Sequence, residues 1–489
     1  MLLPLNGDGP LYRRVCDSVR ERIRCGRWAG GTRLPGTRTL ARDLGVSRIV
    51  VLIAYEQLAA EGYLVGRRGS GSWVVEQVAD RPVQQRAVSE KPRRRGFLSA
   101  YAQRARRLGP HAFPPRKSGA DTQRIDFSYT TTSPDAKTLQ LWRRAVTRAA
   151  AKPLLDYPES AGLGRLRKLI AEYLREQRGV VADADEVVVV NGSQQALDIT
   201  SRLVGGEGTV VGIEEPHYQG TRQAFLAAGA TLVPCAVDDD GLDIDRHAAR
   251  LAGARAICLT PSHQFPTGVV MSIARRLKLL SWAAAQGAWI VEDDYDSEFR
   301  YGVGAISALQ GLDTQGSVLY MGTFARSLFP GLRLGYVVVP PASREHFRAV
   351  KWLADRGSSP TEQRALVDLM ESGAYESARR RMGRSLALKR DLLLGALRAN
   401  FDAREVAWSG GTSGTHVFLR LRRVLARDAG KIVSSASTLG VRVYSGQPYF
   451  LRPPREATLI LGYATVPEAE IESGISRLAR AYDRFARRA

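Results

Sequence analysis

Three apolar runs of this chain end in side chains able to hold a charged, aromatic ligand. Glu186 to Val190 leads into Asn191-Gly192-Ser193-Gln194, Trp289 to Asp293 closes on a carboxylate just before Tyr295, and Ser317 to Phe324 carries Thr323 and precedes Arg326. Gly192, Ser193 and Gln194, placed at the start of a helix, would present backbone N–H groups and a hydroxyl to an anion. Arg333 can grip the same anion with both arms of its guanidinium. A carboxylate at Asp293 would keep a pyridinium nitrogen protonated, the feature that makes such a ring an electron sink. Tyr295 would hydrogen-bond the ring's phenolic oxygen, and Tyr218 would stack on its face. The combination suits a phosphorylated pyridine. Singly, each residue has a plainer reading, since an Asp closing a buried strand is more often a cap or a core-edge residue. Their order and joint placement carry the chemistry.

Such a site needs a scaffold that brings loop after loop to one edge. From about residue 125 the chain alternates strand and helix patterns. Glu186 to Val190, Thr209 to Ile213, Ala254 to Thr260, Trp289 to Asp293 and Ser317 to Phe324 read as buried strands, with Gln194 to Leu203 and Ser272 to Gln286 among the helices between them. The alternation predicts an α/β domain with a mostly parallel sheet, whose ligand lies at the C-terminal strand edge. The polar residues named above sit at that edge.

The first 75 residues are built differently. Asp8 and Gly9 before Pro10 give a cap-then-Pro helix start, and Leu11, Val15, Val19 and Ile23 form one apolar stripe that Trp28 closes. Gly30-Gly31 turns the chain into a short helix near Thr37 to Leu44. Gly45 ends it, Ser47 caps the next, and Val51, Ala54, Tyr55 and Leu58 give that third helix its buried face. Gly62 stops it before two strands, Tyr63 to Val65 and Ser72 to Val75, around Gly66-Arg67-Arg68-Gly69-Ser70-Gly71. Three helices and a basic-tipped hairpin make a winged helix-turn-helix, in which a short helix enters the major groove and the wing reaches phosphates or the minor groove. The candidate DNA-binding residues are Arg38 and Arg42 on the second helix, Ser47 and Arg48 opening the third, and Arg67, Arg68 and Ser70 on the wing.

Charge supports that partner. The 489 residues carry 71 basic and 49 acidic side chains, a net of +22, which favours a polyanion such as double-stranded DNA. The competing explanation is an Arg-rich composition, since only nine of the cations are Lys. The excess is uneven: residues 1–75 carry a net of +6 and residues 76–124 a net of +8, against +8 for all the rest. With Arg93-Arg94-Arg95 and Pro114-Pro115, residues 76–124 read as a basic linker interrupted by a short helix around Phe97 to Arg107. No apolar run approaches the ~20 residues of a membrane span, and Met1 to Leu5 is too short for a signal peptide. Cys16, Cys25, Cys235 and Cys258 are spaced neither for a disulfide framework nor for a metal site. The expectation is a reduced, cytoplasmic protein with no metal: a winged helix at 1–75, the linker at 76–124 and a large domain at 125–489.

Two resemblances rest on these residues. Leu34-Pro35, Thr37-Arg38, Leu40-Ala41, Leu44-Gly45-Val46-Ser47-Arg48, Ala54-Tyr55, Glu61-Gly62 and Gly69-Ser70-Gly71 resemble the GntR-type winged helix, with Gly36 where Ser is usual and Val50 where the pattern has Thr. Tyr157-Pro158, Asn191-Gly192-Ser193-Gln194, Glu215-Pro216-His217-Tyr218, Pro261-Ser262-His263-Gln264-Phe265-Pro266-Thr267-Gly268, Glu292-Asp293-Asp294-Tyr295 and the run from Tyr320 to Tyr336 resemble fold-type-I aminotransferases. Joined, the two are similar to the MocR/GabR family of bacterial transcription regulators. The resemblance implies an α+β winged helix followed by an α/β aminotransferase-like domain with a small C-terminal domain. It also implies pyridoxal phosphate as the group such a cleft takes, and a head-to-tail homodimer in which Tyr157 reaches the neighbour's cleft.

Two departures decide the chemistry to expect. Where the family has Ser-Lys, the Lys forming the Schiff base to pyridoxal phosphate, this chain has Ala325-Arg326. Where the C-terminal segment of the family reads Leu-Arg-Leu-Gly, the Arg binding an amino-acid carboxylate, this chain has Leu459-Ile460-Leu461-Gly462, which would make that side of the cleft more apolar. A guanidinium, which stays protonated in proteins, serves neither as an imine-forming nucleophile nor as a base. The expected protein is a dimeric DNA-binding regulator that senses a small anionic effector non-covalently, with Arg326 as a new contact and without transaminase activity. Pyridoxal phosphate could then be only a non-covalent occupant. Two alternatives stay open: a working aminotransferase with a DNA-binding appendage, and a regulator whose large domain serves only as a dimer scaffold.

Overall fold

Val15, Val19 and Ile23 line the buried face of the helix Leu11–Arg24, in a computed structural model that describes residues 3–5, 7–67, 70–76, 97–109, 124–302, 304 and 306–486. The stripe predicted from Leu11 begins one turn later. Leu11 is exposed, Pro10 caps the helix without a side-chain bond, and Cys16, Trp28 and Leu3 complete the burial. Helix Thr37–Leu44 ends at Gly45, whose φ of 66° is the left-handed conformation that a residue without Cβ adopts freely. The Ser47 hydroxyl then accepts from the Val50 amide at 3.4 Å to cap helix Arg48–Ala60. Val51, Ala54, Tyr55 and Leu58 turn into the same small core. The hairpin of Leu64–Arg67 and Gly71–Val74 pairs Val65 with Trp73 and Arg67 with Gly71. These elements belong to the first of two compact units, Met1–Phe97 and Leu98–Ala489.

An eight-stranded sheet forms the middle layer of the second unit. Its order is Val187–Val190, Gly335–Val338, Val318–Thr323, Trp289–Asp294, Ala256–Leu259, Val210–Glu215, Thr231–Asp238 and Gly241–Leu242. The pairings from Val318–Thr323 to Thr231–Asp238 are all parallel, while Gly335–Val338 runs antiparallel to both its neighbours. Val187-Val188-Val189-Val190 shows why such strands read as unbroken apolar runs. Val187 and Val189 enter the core on one face with Leu279 and Ala283, and Val188 and Val190 enter the other with Ala196 and Leu197. All five predicted strands are present, their ends within two residues of the sequence reading. Helices Ser193–Val204 and Ile273–Gln286 cover the two faces.

A smaller antiparallel sheet joins Val406–Gly410, His416–Leu425, Glu456–Gly462 and Tyr444–Ser445 in that order. Helices Ala374–Asn400 and Glu468–Ala486 pack with it around Leu393, Leu419, Leu459 and Ile475. Part of the expected linker also belongs to the second unit. Helix Ala100–Leu108, capped by Ser99, packs on helix Gln219–Ala228. There Tyr101 donates to Asp198 at 3.2 Å, and Arg104 reaches the Ala227 carbonyl at 3.0 Å and Glu207 at 2.8 Å. Residues 77–96 and 110–123 of that stretch lie outside the described residues. Among the described residues the cysteines are free thiols, and no helix is long and apolar enough to cross a membrane.

Candidate functional site

Residues at the C-terminal ends of Val187–Val190, Trp289–Asp294 and Val318–Thr323 line one cleft of about 140 Å³. Gly192, Ser193, Tyr218, Asp293, Tyr295, Thr323, Arg326 and Arg333 all face it, together with Tyr129, Thr130 and Phe265. Gln194 does not. Successive helical residues turn by about 100°, so a helix that aims Ser193 at the cleft carries Gln194 to solvent. Its neighbour Gln195 does the positioning instead. The Gln195 and Asn191 amides both donate to Asp355 at 2.8 Å, and Gln195 Oε1 accepts from the Asn191 N–H. Tyr157 lies outside this chain's cleft; it is 76% exposed, with the Arg356 guanidinium 5.8 Å from its ring.

One end of the cleft brings a helix start and a guanidinium together. Gly192 has a φ of +80°, and a Cβ there would sit 3.1 Å from three atoms of the Arg333 guanidinium, so glycine lets the helix start close on that cation. Arg333 itself takes a left-handed φ of 53° and donates through Nη2 to the Asn191 carbonyl at 2.8 Å. Backbone N–H groups at the start of Ser193–Val204 and a fixed guanidinium thus converge on one spot.

The other end is an acid on an apolar floor. Asp293 is buried, and its Oδ1 has no hydrogen-bond partner. Burial, then the charges of Asp294 and Asp296, push its pKa up to about 7, while Arg326 opposes the rise. Below it, a void of about 10 Å³ borders Asp293, Glu214 and His217. Glu214 accepts from the Thr260 N–H and hydroxyl and from Gln264, yet burial still raises it to about 7. Phe265 meets the rings of Tyr218 and Tyr295 edge-on at 5.7 and 5.8 Å.

The Tyr295 hydroxyl is already engaged, which the sequence reading did not anticipate. It lies 2.9 Å from His263 Nδ1, itself 2.8 Å from Asp296 Oδ1. With Nδ1 carrying the proton that Asp296 accepts, the Tyr295 oxygen is a second acceptor and its O–H stays available to donate. His416 completes this buried group, held at about 3 chiefly by burial, with Nε2 against the Pro266 carbonyl. The facing atoms of His263, Asp296 and His416 lie within 4.8 Å of one another, a buried grouping close enough to share a metal ion.

Arg326 occupies the cleft wall. Its Nη1 donates to the Tyr129 carbonyl at 2.8 Å and its guanidinium lies 5.8 Å from the centre of the Tyr295 ring. Thr323 Oγ1 accepts from the Ala325 N–H at 3.1 Å and fixes the turn that leads to it. Ile460 was expected to make the cleft more apolar, but it does not line it. It is fully buried among Tyr129, Phe265, Phe418 and Tyr449, and the joined hydroxyls of Tyr129 and Tyr449 belong to the same cluster.

On the winged helix, Arg38, Arg42, Ser47, Arg48 and Arg67 are all exposed; Arg68 lies outside the described residues. Arg48 Nε reaches the Thr37 hydroxyl at 3.4 Å and so links the second and third helices. Ser70 is half-buried, its hydroxyl accepting from Trp73 Nε1 at 3.1 Å. The guanidinium groups of Arg67 and Arg33 lie over the Trp73 ring at 5.1 and 5.9 Å. Arg33 and Trp73 were missed because the strand pairing that joins them is not local in sequence.

Residues 127–478 match the family Aminotransferase class I and II, and residues 11–74 match Bacterial regulatory proteins, gntR family. The chain is 36% identical to the probable rhizopine catabolism regulatory protein MocR of Rhizobium meliloti, covering 99% of this chain and 96% of that protein. It is 32% identical to the HTH-type transcriptional regulator TauR of Rhodobacter capsulatus, covering 97% of each. Among solved structures, LysN, the alpha-aminoadipate aminotransferase of Thermus thermophilus complexed with N-(5'-phosphopyridoxyl)-L-leucine, matches with a TM-score of 0.68 and 26% identity over 80% of this chain and 98% of that one. With a GntR winged helix joined to a fold-type-I aminotransferase unit, and likeness to such regulators over nearly its whole length, the chain belongs to the MocR-type family of transcription regulators.

Proposed function

We propose that this regulator works in the cytoplasm as a homodimer, and that its aminotransferase-like unit holds a small anionic ligand without a covalent bond and without transaminating it. The observation that carries the proposal is Arg326 on the cleft wall, tied to the Tyr129 carbonyl, where the family has its reactive lysine. A guanidinium is neither an imine-forming nucleophile nor a proton shuttle in proteins. No lysine lines this cleft among the described residues.

The remaining residues fit pyridoxal phosphate or a ligand like it. Ser193, the Gly192 turn and Arg333 would take the phosphate, Tyr218 would cover the ring, and the unpartnered Asp293 Oδ1 would accept from a pyridinium N–H. When bound, that group supplies an electron-withdrawing ring. Here Arg326 and Arg333 would hold and orient it, since an anion between two permanent cations offsets their repulsion. On the DNA side, Arg38, Arg42, Ser47 and Arg48 are assigned to the groove, and Arg67, Arg68 and Ser70 to the wing. Exposed Tyr157 and Trp352, both beside Arg356, supply an apolar patch suited to a second copy of the chain.

Calorimetry with pyridoxal phosphate, followed by borohydride reduction and mass spectrometry, tests the ligand reading. Binding without a trapped adduct is expected, and Arg326→Ala and Arg333→Ala should each weaken it at least tenfold. A reduced adduct on any lysine of the wild-type cleft would overturn the proposal. Unchanged affinity in both variants would leave the unit as a dimer scaffold only.

A further inference from the structure

A second cavity of about 140 Å³ lies in the same unit and has no part in the reading above. It is bounded by the segment from Thr132 to Thr138, by Ala464, and by the face of helix Ala374–Asn400 that carries Arg381, Ser385 and Lys389 at intervals of four. One short segment divides it from the first cleft. Tyr129 and Thr130 line the cleft, Thr132 and Ser133 line the second cavity, and the Thr132 hydroxyl donates to the Ala325 carbonyl at 3.4 Å.

The charges in this cavity do not cancel. Arg381 and Asp135 satisfy each other, with Nε at 2.6 Å and Nη2 at 3.3 Å from the two carboxylate oxygens. Arg381 also donates to Thr138 Oγ1 at 3.0 Å, and Asp135 caps helix Ala136–Ala150 by accepting the Thr138 N–H at 2.7 Å. That guanidinium holds Asp135 far below the usual carboxylate range, so it stays charged. Lys389 is the cation left over. Its Nζ donates to the Ala464 carbonyl at 3.0 Å, and the one carboxylate whose charge is felt there among the described residues, Glu468, acts from beyond ion-pair distance. An ammonium has three N–H donors, so two remain on this half-buried group, in a cavity also lined by Thr132, Ser133, Thr138 and Ser385, of which Ser133 and Ser385 are not among the hydroxyls bonded above.

We propose that this cavity is a second ligand site, for a small monocarboxylate bearing a hydroxyl, seated with its carboxylate on Lys389 Nζ. Arg381 and Asp135 offset each other, so the residues that line the cavity keep one net positive charge at Lys389, tempered by Glu468 outside the lining, which a monoanion matches and a phosphate dianion overfills. The surrounding hydroxyls match a polar substituent. Occupancy would bear on the segment whose Tyr129 carbonyl holds Arg326, which couples this site to the first cleft. The assignment stands independently of what the first cleft binds.

Saturation-transfer NMR of the full-length protein with lactate tests it, with inorganic phosphate as competitor. Lactate binding should persist within about twofold in an Arg326→Ala, Arg333→Ala double variant, fall at least tenfold in Lys389→Gln, and be largely kept in Lys389→Arg. Retention in Lys389→Arg separates lost charge from lost fold. Four results would overturn the site: no transfer from wild type at tens of millimolar lactate, unchanged binding in Lys389→Gln, loss only in the double variant, or phosphate displacing lactate at lower concentration than lactate itself needs.

Discussion

The two units present positive charge in opposite ways. On the winged helix Arg38, Arg42, Arg48 and Arg67 stand in solvent on long side chains, with Arg48 tied only to a threonine hydroxyl and Arg67 resting on Trp73. In the cleft, half-buried Arg326 and exposed Arg333 are each bonded to a main-chain carbonyl, those of Tyr129 and Asn191. Solvated, mobile cations suit a long polyanion whose phosphates vary in position, and salt screens them. Cations fixed by backbone bonds suit one small anion of set shape, and half-buried Arg326 is screened less than a fully solvated side chain. On the reading proposed above, a single chain carries an adaptable and a selective anion site, distinguished by what holds each guanidinium.

The sharpest way to break that contrast is to give the selective site a reactive group. Arg326→Lys replaces a fixed cation by an amine that can lose its proton. Borohydride reduction in the presence of pyridoxal phosphate should then trap a near-stoichiometric adduct at position 326, against none in the wild type. If the variant binds the ligand yet traps nothing, Arg326 is not aimed at the ligand's aldehyde end, and its role as a direct contact fails.

Salt separates the two sites next. If about six phosphates are contacted, DNA affinity should fall about a thousandfold between 50 and 200 mM salt. Ligand affinity in the cleft should change only a few-fold over the same range. Within the DNA site, Arg48→Ala should weaken a selected duplex about 10–100-fold more than random DNA, the range of a base contact. Arg67→Ala should weaken both alike. Equal salt slopes for DNA and small ligand would erase the distinction between the units.

Asp293 gives a smaller effect with a definite sign. Its pKa rises from the ordinary 3.8 to about 7 on folding, mainly through burial. Below about pH 4 both native and unfolded states hold the proton and no cost arises. Between about 4 and 7 the unfolded chain ionises while the native one resists, so stability is lost progressively, and above 7 the cost is complete. It is about 4 kcal/mol. Asp293→Asn should therefore melt several degrees higher than wild type at pH 8 and about equally at pH 4, while binding pyridoxal phosphate at least tenfold more weakly. A variant that melts no higher at pH 8 would mean that the buried carboxylate is compensated by a partner such as water in the void beside His217.

Local chemistry was legible in the sequence, and long-range partnership was not. The fully buried strands declared themselves by composition, and the cleft residues by their place at strand ends, as with Gly192, Asp293 and Thr323. The Gln194 side chain lies outside the cleft because one step along a helix turns it about 100° from Ser193. Leu11 failed because the stripe it continues runs past the end of the small core. Ile460 sits one layer below the surface its family position suggested, since Tyr129 and Phe265 close over it. The pairing of Tyr295 with His263 and Asp296, and of Arg33 with Trp73, depends on strand and loop register between segments far apart in the chain, which no local pattern encodes. The half-buried amine of Lys389 likewise gains its meaning only from the carbonyl and hydroxyls that three separate elements bring to it.

The smallest expected effect tests the adaptable site alone. Gly36 is the N-cap of helix Thr37–Leu44 and contributes no side-chain bond, where GntR-type sequences usually have Ser. Its φ of −59° and ψ of 149° are open to any L residue, and a Cβ there meets nothing within 4 Å. Gly36→Ser should therefore fit without strain. A serine cap exceeds glycine by a few tenths of a kcal/mol, and restricting the unfolded chain adds about 0.4–1 kcal/mol, so the winged helix should melt a few degrees higher. If the same hydroxyl also reaches a phosphate, one net hydrogen bond of about 1 kcal/mol raises DNA affinity roughly fivefold. Because serine is uncharged, the salt slope should stay as it was and ligand binding in the cleft should not move. Higher stability with unchanged DNA affinity would confine the hydroxyl to capping, and a changed salt slope would mean that it had repositioned the neighbouring Arg38 rather than added a contact of its own.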